Sequence, residues 1–359
     1  MRRKEGMVKN LRIGVLLSGG VDSAVALYTL KEQGHEVIAY HMKTMHDEFY
    51  IQRQIKHKVC CSPSDTFDAQ IIADQLKVPL RIIHLQDIFK KLIIDYYLEE
   101  YKQGKTPNPC YFCNRLIKFG YLMDLMLQDN VDFVSSGHYA RIIDGKLYKA
   151  VSKEKDQSYF LASIERERLK KIVFPNGDKT KDEIRKIAKK ANIHVHDKTE
   201  SQDLCFIPDS NQLRFFEEFG IDVKPGPILD KNGKKIGEHT GLVKYTIGQR
   251  KIGISTGEKS YVIKICAQEN TLIVGNEKDV YSKGFSVRNL NILTDLEKEF
   301  VSTVKVRKNS EEVPCAVTLN NDSAIVKTDK PIFAVTPGQA AVFYKDEMVL
   351  ASGIIDEVL

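Results

Sequence analysis

The sequence predicts an α/β chain: a doubly wound parallel sheet, then a small central α+β part, then an all-β C-terminal part. Three observations carry this prediction. Apolar runs such as "LRIGVLL" (11–17) recur through the first part of the chain, separated by helical patterns. Beyond residue 206 the texture turns to short strand-like runs with turns at Pro225-Gly226 and Asn232-Gly233. The last ~75 residues alternate β-branched and polar side chains, as in "STVKVR", "CAVTLN" and "SAIVKT".

Each element has its own reason. Residues 11–17 form a continuous apolar run that stops at Ser18-Gly19-Gly20, the mark of a strand covered on both faces. Val21, Ala24, Val25 and Tyr28 then share one face of a helix, and Gly34 suits its C-terminal cap. "HEVIAYHM" (35–42) is the next strand. A helix is expected near 64–77, a strand at 79–85 and a long helix over 87–103. Another helix is expected over 114–128, a strand at 131–138, and a helix with its exit over 179–195. Parallel strands need such helical crossovers. "FIPDSNQLRFFEEF" holds one helical segment, and many short strands follow, as in a small barrel or sandwich. The expected parts are residues 1–209, 210–280 and 281–359.

Composition narrows the class. The chain has 359 residues, 42% hydrophobic and 28% charged, which suits a globular protein with sizeable cores. Its apolar runs are too short to span a bilayer, and no apolar signal region follows "MRRKEGMVKN". The expected location is the cytoplasm. The formal charge of +6 permits an anionic partner such as RNA without demanding one. The seven cysteines form no framework, so Cys110-x-x-Cys113 points to catalysis or metal rather than to a staple. Cys60-Cys61 suits a mobile-loop or packing role, and Cys266 and Cys315 suit small buried hydrophobes.

"SGGVDS" (18–23) lies between the first strand and the first helix. Gly19 and Gly20 allow a tight turn and close backbone approach. The helix beginning at Val21 aims free N–H groups and its positive dipole end at the turn. Ser18 and Ser23 add hydroxyls. The loop is an anion cradle, neither a Walker A loop nor a dinucleotide fingerprint.

"SGGVDS" resembles the loop of the PP-loop ATP pyrophosphatase superfamily. Further stretches resemble the tRNA-specific 2-thiouridylases in order along the chain: "TPNPCYFCNRLIKF" (106–119), "SGHYAR" (136–141), "KDQSYFL" (155–161), "LCFIPD" (204–209), "GQRK" (248–251) and "TPGQAAVFY" (336–344). The resemblance covers nearly the whole chain. It implies a PP-loop (adenine-nucleotide α-hydrolase type) domain, a small central α+β domain and a C-terminal all-β barrel. It also implies ATP-dependent replacement of the wobble uridine's C2 oxygen by sulfur.

The implied residues follow the matched stretches. ATP would meet Leu16, Leu17, Ser18, Gly19, Gly20, Val21, Asp22, Ser23, Met42 and Gly137, with Asp22 near the Mg²⁺. Asn108, Pro109 and Cys110 would meet the target base, and His138 and Gln339 would lie near it. Lys155, Asp156, Gln157, Arg307 and Lys308 would contact tRNA. Cys113 matches the nucleophile and Cys205 the persulfide-bearing cysteine. The expected partners are the tRNA anticodon stem-loop and a sulfur donor such as a cysteine desulfurase or sulfur-relay protein.

The chemistry needs those residue types. A uracil C2 carbonyl is a poor electrophile until its oxygen is adenylated. A thiolate-derived sulfur then displaces AMP. Where the family motif has Asp, this chain has Cys110. Two sulfur routes therefore stand: a persulfide relay through Cys113 and Cys205, or a [4Fe–4S] cluster on Cys110, Cys113 and Cys205. Two other functions compete: an amidating ligase that shares the loop, and a tRNA-binding iron–sulfur protein that consumes no ATP.

Overall fold

The computed structural model describes residues 10–52, 62–199, 204–207, 211–254 and 259–359. Cys60 and Cys61 lie outside them. The chain packs as two units, Met1–Lys90 with Cys113–Ser210, and Lys91–Phe112 with Asn211–Leu359.

In the first unit, β1 (Arg12–Leu16), β2 (Glu36–Lys43), β3 (Leu80–His84) and β4 (Phe133–Ser136) are followed by a hairpin, β5 (Arg141–Ile143) and β6 (Lys146–Tyr148), and by β7 (Ile172–Val173). The parallel sheet runs β3-β2-β1-β4-β7. Ile13 and Val15 of β1 are buried with Leu27 and Leu30 of helix Val21–Glu32, Ile72 of helix Pro63–Gln75, and Ile184 of helix Lys181–Lys190. Leu16 pairs with Tyr40 on one side and Ser136 on the other. The order reverses at β1, and α/β sheets bind ligands at the carboxyl ends of strands at such a point.

Local chemistry starts two of these helices. The Ser62 hydroxyl accepts from the Asp65 amide, and the Asp65 carboxylate accepts from the Ser62 amide. Thr180 and Glu183 make the same reciprocal pair. Losing such a cap typically costs about 0.5–2 kcal/mol.

Two expected helices are broken by π-helical turns. The helix over 87–103 is Gln86–Phe89, a π turn Lys90–Ile94, and Asp95–Lys102. The helix over 114–128 begins earlier, at Pro109–Phe112, widens over Cys113–Tyr121, and ends as Leu122–Gln128. Gly120 has φ −104° and ψ −106°. A Cβ there would lie 2.5 Å from the Arg115 carbonyl oxygen, so glycine permits the break.

In the second unit, β8 (Gly226–Asp230), β9 (Lys235–His239), β10 (Tyr261–Cys266) and β11 (Thr271–Gly275) form a sheet ordered β10-β11-β8-β9. The remaining strands are β12 (Tyr281–Ile292), β13 (Glu299–Lys305), β14 (Val313–Asn320), β15 (Ser323–Phe333), β16 (Ala340–Lys345) and β17 (Met348–Val358). They pair antiparallel as β12-β15-β14-β13-β16-β17, and β12 pairs with β17 as well. That last pairing closes a barrel and removes the sheet edges. Phe285, Val304, Val326, Phe343 and Ile355 fill it. Cys315 is buried there, and burial pushes its thiol up to about 11, so it packs rather than reacts. Cys266, by contrast, is half-buried.

The segment Lys91–Phe112 belongs to this second unit. Tyr97 stacks on Phe216 with centroids 5.9 Å apart. The Gln212 amide donates at 2.8 Å to the hydroxyls of both Tyr97 and Tyr101. Among the described residues no helix is long and apolar enough to cross a membrane.

Candidate active site

A cleft of about 280 Å³ opens at the carboxyl ends of β1, β2 and β4. Leu16, Leu17, Ser18, Gly20, Val21, Asp22, Ser23, Met42, Gly137, His138 and Gln157 line it. Gly19 lies in the loop itself, at φ +77°. A Cβ on Gly19 would sit 2.3 Å from the Asp65 carbonyl oxygen, so no larger residue fits. The Ser23 hydroxyl accepts from the Ser18 amide at 3.1 Å and donates to the Gly20 carbonyl at 3.0 Å. This holds the turn open at the helix N-terminus.

The two sides of the crevice are fastened together. A Cβ on Gly137 would lie 2.5 Å from the Ser23 nitrogen, so the end of β4 packs directly on the helix start. The buried Asn176 amide donates to the Asp22 carbonyl at 2.9 Å and to the Gly137 carbonyl at 3.1 Å.

Charge is concentrated here. Lys181 Nζ donates to Asp22 Oδ1 and Oδ2 at 2.7 and 2.8 Å, and the Tyr139 hydroxyl donates to Oδ1 at 2.5 Å. Lys198 Nζ donates to the Gly19 carbonyl at 2.9 Å and to Asp65 and Asp68 at 2.6 and 2.5 Å. Burial works to lower the Lys198 pKa, but the two carboxylates outweigh it and hold the ammonium above its ordinary value. His41 is fully buried. Burial lowers its pKa, so the ring is neutral, with Nδ1 donating to the Leu17 carbonyl and Nε2 accepting from Thr66. Burial, and then Lys118, hold His138 well below the ordinary imidazole range.

Lys118 also lines the cleft, and it rises from the π-helical segment Cys113–Tyr121. That segment begins with the buried Cys113. Asn114 beside it is buried and donates to the Phe160 carbonyl at 3.2 Å. Cys205 is half-buried in the short described stretch 204–207, where Phe206 packs on Phe89.

The other expected residues have varied settings. Asp156 accepts from the amides of Ala150 and Ser158 and from the Ser158 hydroxyl, which makes it a turn-former. The Gln157 oxygen accepts from the Tyr139 amide at 2.9 Å. Lys155 is half-buried in the first unit. Asn108, Pro109, Cys110, Arg307, Lys308 and Gln339 belong to the second unit. Arg307 donates to the Ile247 carbonyl at 3.0 Å and to the Thr336 hydroxyl at 2.5 Å, tying the barrel to the loop that precedes β10. Lys308 is exposed.

The boundary between the units falls inside the C-x-x-C. Cys110, exposed, is in the second unit, while Cys113 and Cys205 are in the first. A [4Fe–4S] cluster asks for three gathered thiolates. Among the described residues no three His, Cys, Asp or Glu side chains gather as metal ligands.

Sequence reasoning missed Lys181, Lys198, Asn176, Tyr139 and His41. Each acts over a long chain separation, and only Tyr139, within "SGHYAR", lies in a stretch with a local signature.

Comparison with known proteins agrees with this geometry. Residues 11–209 match the family model described as the tRNA methyl transferase HUP domain. Residues 214–276 match the tRNA methyl transferase PRC-barrel domain, and residues 282–355 the aminomethyltransferase beta-barrel domain. The tRNA-specific 2-thiouridylase MnmA of Pseudothermotoga lettingae is 70% identical over 97% of this chain and 100% of its own length. The proteins of the same name from Fervidobacterium nodosum and Thermotoga petrophila are 58% and 47% identical, over 96% and 97% of this chain and 99% of each relative. The chain belongs to the tRNA-specific 2-thiouridylase family.

Proposed function

We propose that this chain is an ATP-dependent tRNA-uridine 2-sulfurtransferase acting on a wobble uridine. The observation that carries the reading is the cleft's composition. One segment brings Lys118 to a phosphate-binding turn and begins with Cys113.

The uracil C2 oxygen attacks the α-phosphorus of ATP. An O–P bond forms, the bond to the β-phosphate bridging oxygen breaks, and pyrophosphate leaves. The backbone N–H groups after Gly20, with Lys181 and Lys198 nearby, favour the phosphate charge. Asp22 would hold Mg²⁺, which would supply neutralisation of the charge developing on the phosphates.

Sulfur then enters from a Cys205 persulfide. Its outer sulfur attacks C2, and AMP leaves with the C2–O electrons. The Cys113 thiolate attacks Cys205 Sγ, which breaks the S–S bond, frees the thiocarbonyl and leaves a Cys113–Cys205 disulfide. Two electrons from a thiol reductant reset the pair. The neutral His138 stands at the end of β4, beside the cleft. Asn108 and Pro109 meet the base, and lysines and arginines hold the phosphate backbone of the anticodon stem-loop.

The test is anaerobic purification with iron and sulfide analysis, then ATP-dependent thiolation of tRNA with a persulfide donor. Cys113→Ala and Cys205→Ala should each abolish thiolation and leave ATP binding intact. Full thiolation by both variants would overturn the cysteine relay, and a wild type that consumes ATP without thiolating tRNA would favour an amidating ligase. Stoichiometric iron required for turnover would replace the relay with a cluster.

A further inference from the structure

The stretch assigned to the target base, Asn108-Pro109-Cys110, is fixed at both ends by the second unit. At its start the backbone of Thr106 is fully used. The Thr106 amide donates to the Pro337 carbonyl at 2.9 Å, and its carbonyl accepts from Gln339 Nε2 at 2.7 Å. Its hydroxyl lies 2.9 Å from that of Thr246 in the central sheet's neighbourhood. Gly338, at φ +93°, approaches so closely that a Cβ would sit 2.9 Å from the Thr106 carbonyl carbon. At its end the buried Tyr111 hydroxyl meets that of Ser352 on β17 at 2.7 Å.

An ion cluster secures the chain just before it. Arg288 of β12 donates to both Glu100 oxygens at 2.8 Å and, through Nε, to Asp356 at 3.1 Å. Lys105 donates to the same Asp356 oxygen at 3.0 Å. Glu100 is 5% exposed, and a carboxylate so buried persists only when paired.

We propose that the barrel is the template for the base-binding loop, with Gln339 and Arg288 as positioning residues that set the backbone of Thr106–Cys110. The proposal rests on the thiolation reading for its catalytic consequence. Gln339 spends its amide on the loop's own backbone. On this proposal its effect on the base runs through Thr106.

The test uses the full chain with Gln339→Leu, Arg288→Met and Arg288→Lys. Two readouts are taken: thiolation kinetics with tRNA, and the rate of iodoacetamide alkylation at the exposed Cys110 by mass spectrometry. Thiolation kcat should fall roughly 10- to 100-fold, because misplacing a reacting group costs about that much. KM for tRNA should stay within about twofold, since the phosphate contacts elsewhere remain. Cys110 should alkylate about threefold faster or more as the loop opens. Arg288→Lys should not rescue, because a lysine does not serve two carboxylates with a planar fork.

A Gln339→Leu protein with raised KM, unchanged kcat and unchanged alkylation would overturn the proposal in favour of direct RNA contact. If Arg288→Met does not fold, Gln339→Leu, which strands no buried charge, carries the test alone. If the wild type does not thiolate tRNA, the functional reading has failed, and the alkylation rates still decide the positioning claim.

Discussion

The Lys181 ammonium lies 2.7 and 2.8 Å from the two carboxylate oxygens of Asp22, across a chain separation of 159 residues. This pair stands at the N-terminus of the loop helix, where the phosphates of ATP would arrive. Asp22 is thereby fixed in orientation before any ligand binds. Lys181→Met removes a charge-assisted contact of about 1.5–3 kcal/mol. ATP affinity should drop about 10- to 100-fold by calorimetry. A dissociation constant within twofold of wild type would show that the pair is only structural.

Lys198 ties Gly19 to Asp65 and Asp68, and its side chain is 7% exposed. Losing one partner of a buried ion pair costs about 3–5 kcal/mol. Lys198→Met should therefore lower stability by about that amount in urea unfolding at pH 7.

The same cluster sets an acid limit. Burial works to raise the Asp68 pKa, but hydrogen bonds from Lys198 and His194 bring it below the ordinary carboxylate value. A depressed folded pKa stabilises above the unfolded value, roughly pH 4, and that share is lost as pH falls through the folded value. The Lys198 pKa is raised, so its own share persists until pH rises above the ordinary lysine range. Wild type should lose stability on acidification below about pH 4, and Lys198→Met should lose markedly less. Unfolding curves between pH 3 and pH 8 check this. Parallel profiles would refute it.

Asn176 donates both amide hydrogens to carbonyls, of Asp22 and Gly137. Asn176→Asp sets a carboxylate against both. The shape barely changes, while two donors become repulsive lone pairs in a buried site. Stability should fall by about 3 kcal/mol or more, with weaker ATP binding, by denaturation and calorimetry. Unaltered unfolding would mean the crevice closes without this residue.

The parallel sheet was legible because burial on both faces demands apolar runs, and "IGVLL" (13–17) and "VIAY" (37–40) supply them. The π-helical turns at Lys90–Ile94 and Cys113–Tyr121 were not legible. A widened turn barely disturbs the apolar spacing that marks a helix. The phosphate turn was legible because glycines, serines and a helix start must be local neighbours. The barrel's alternation was visible, but closure was not. Closure depends on β12 meeting both β15 and β17, a pairing that periodicity does not encode.

By itself, then, the sequence determined the strand and helix order and the anion-binding turn. Local spacing and side-chain chemistry suffice for those. Only the tertiary structure decided which charges meet. Lys198 reaches Gly19 across 179 residues, and Arg288 reaches Glu100 across 188. It also put Cys110 and Cys113, three positions apart, into different units. Such pairings follow from which buried surfaces fit and which buried charges are neutralised. Both are properties of the packed chain rather than of any stretch of it.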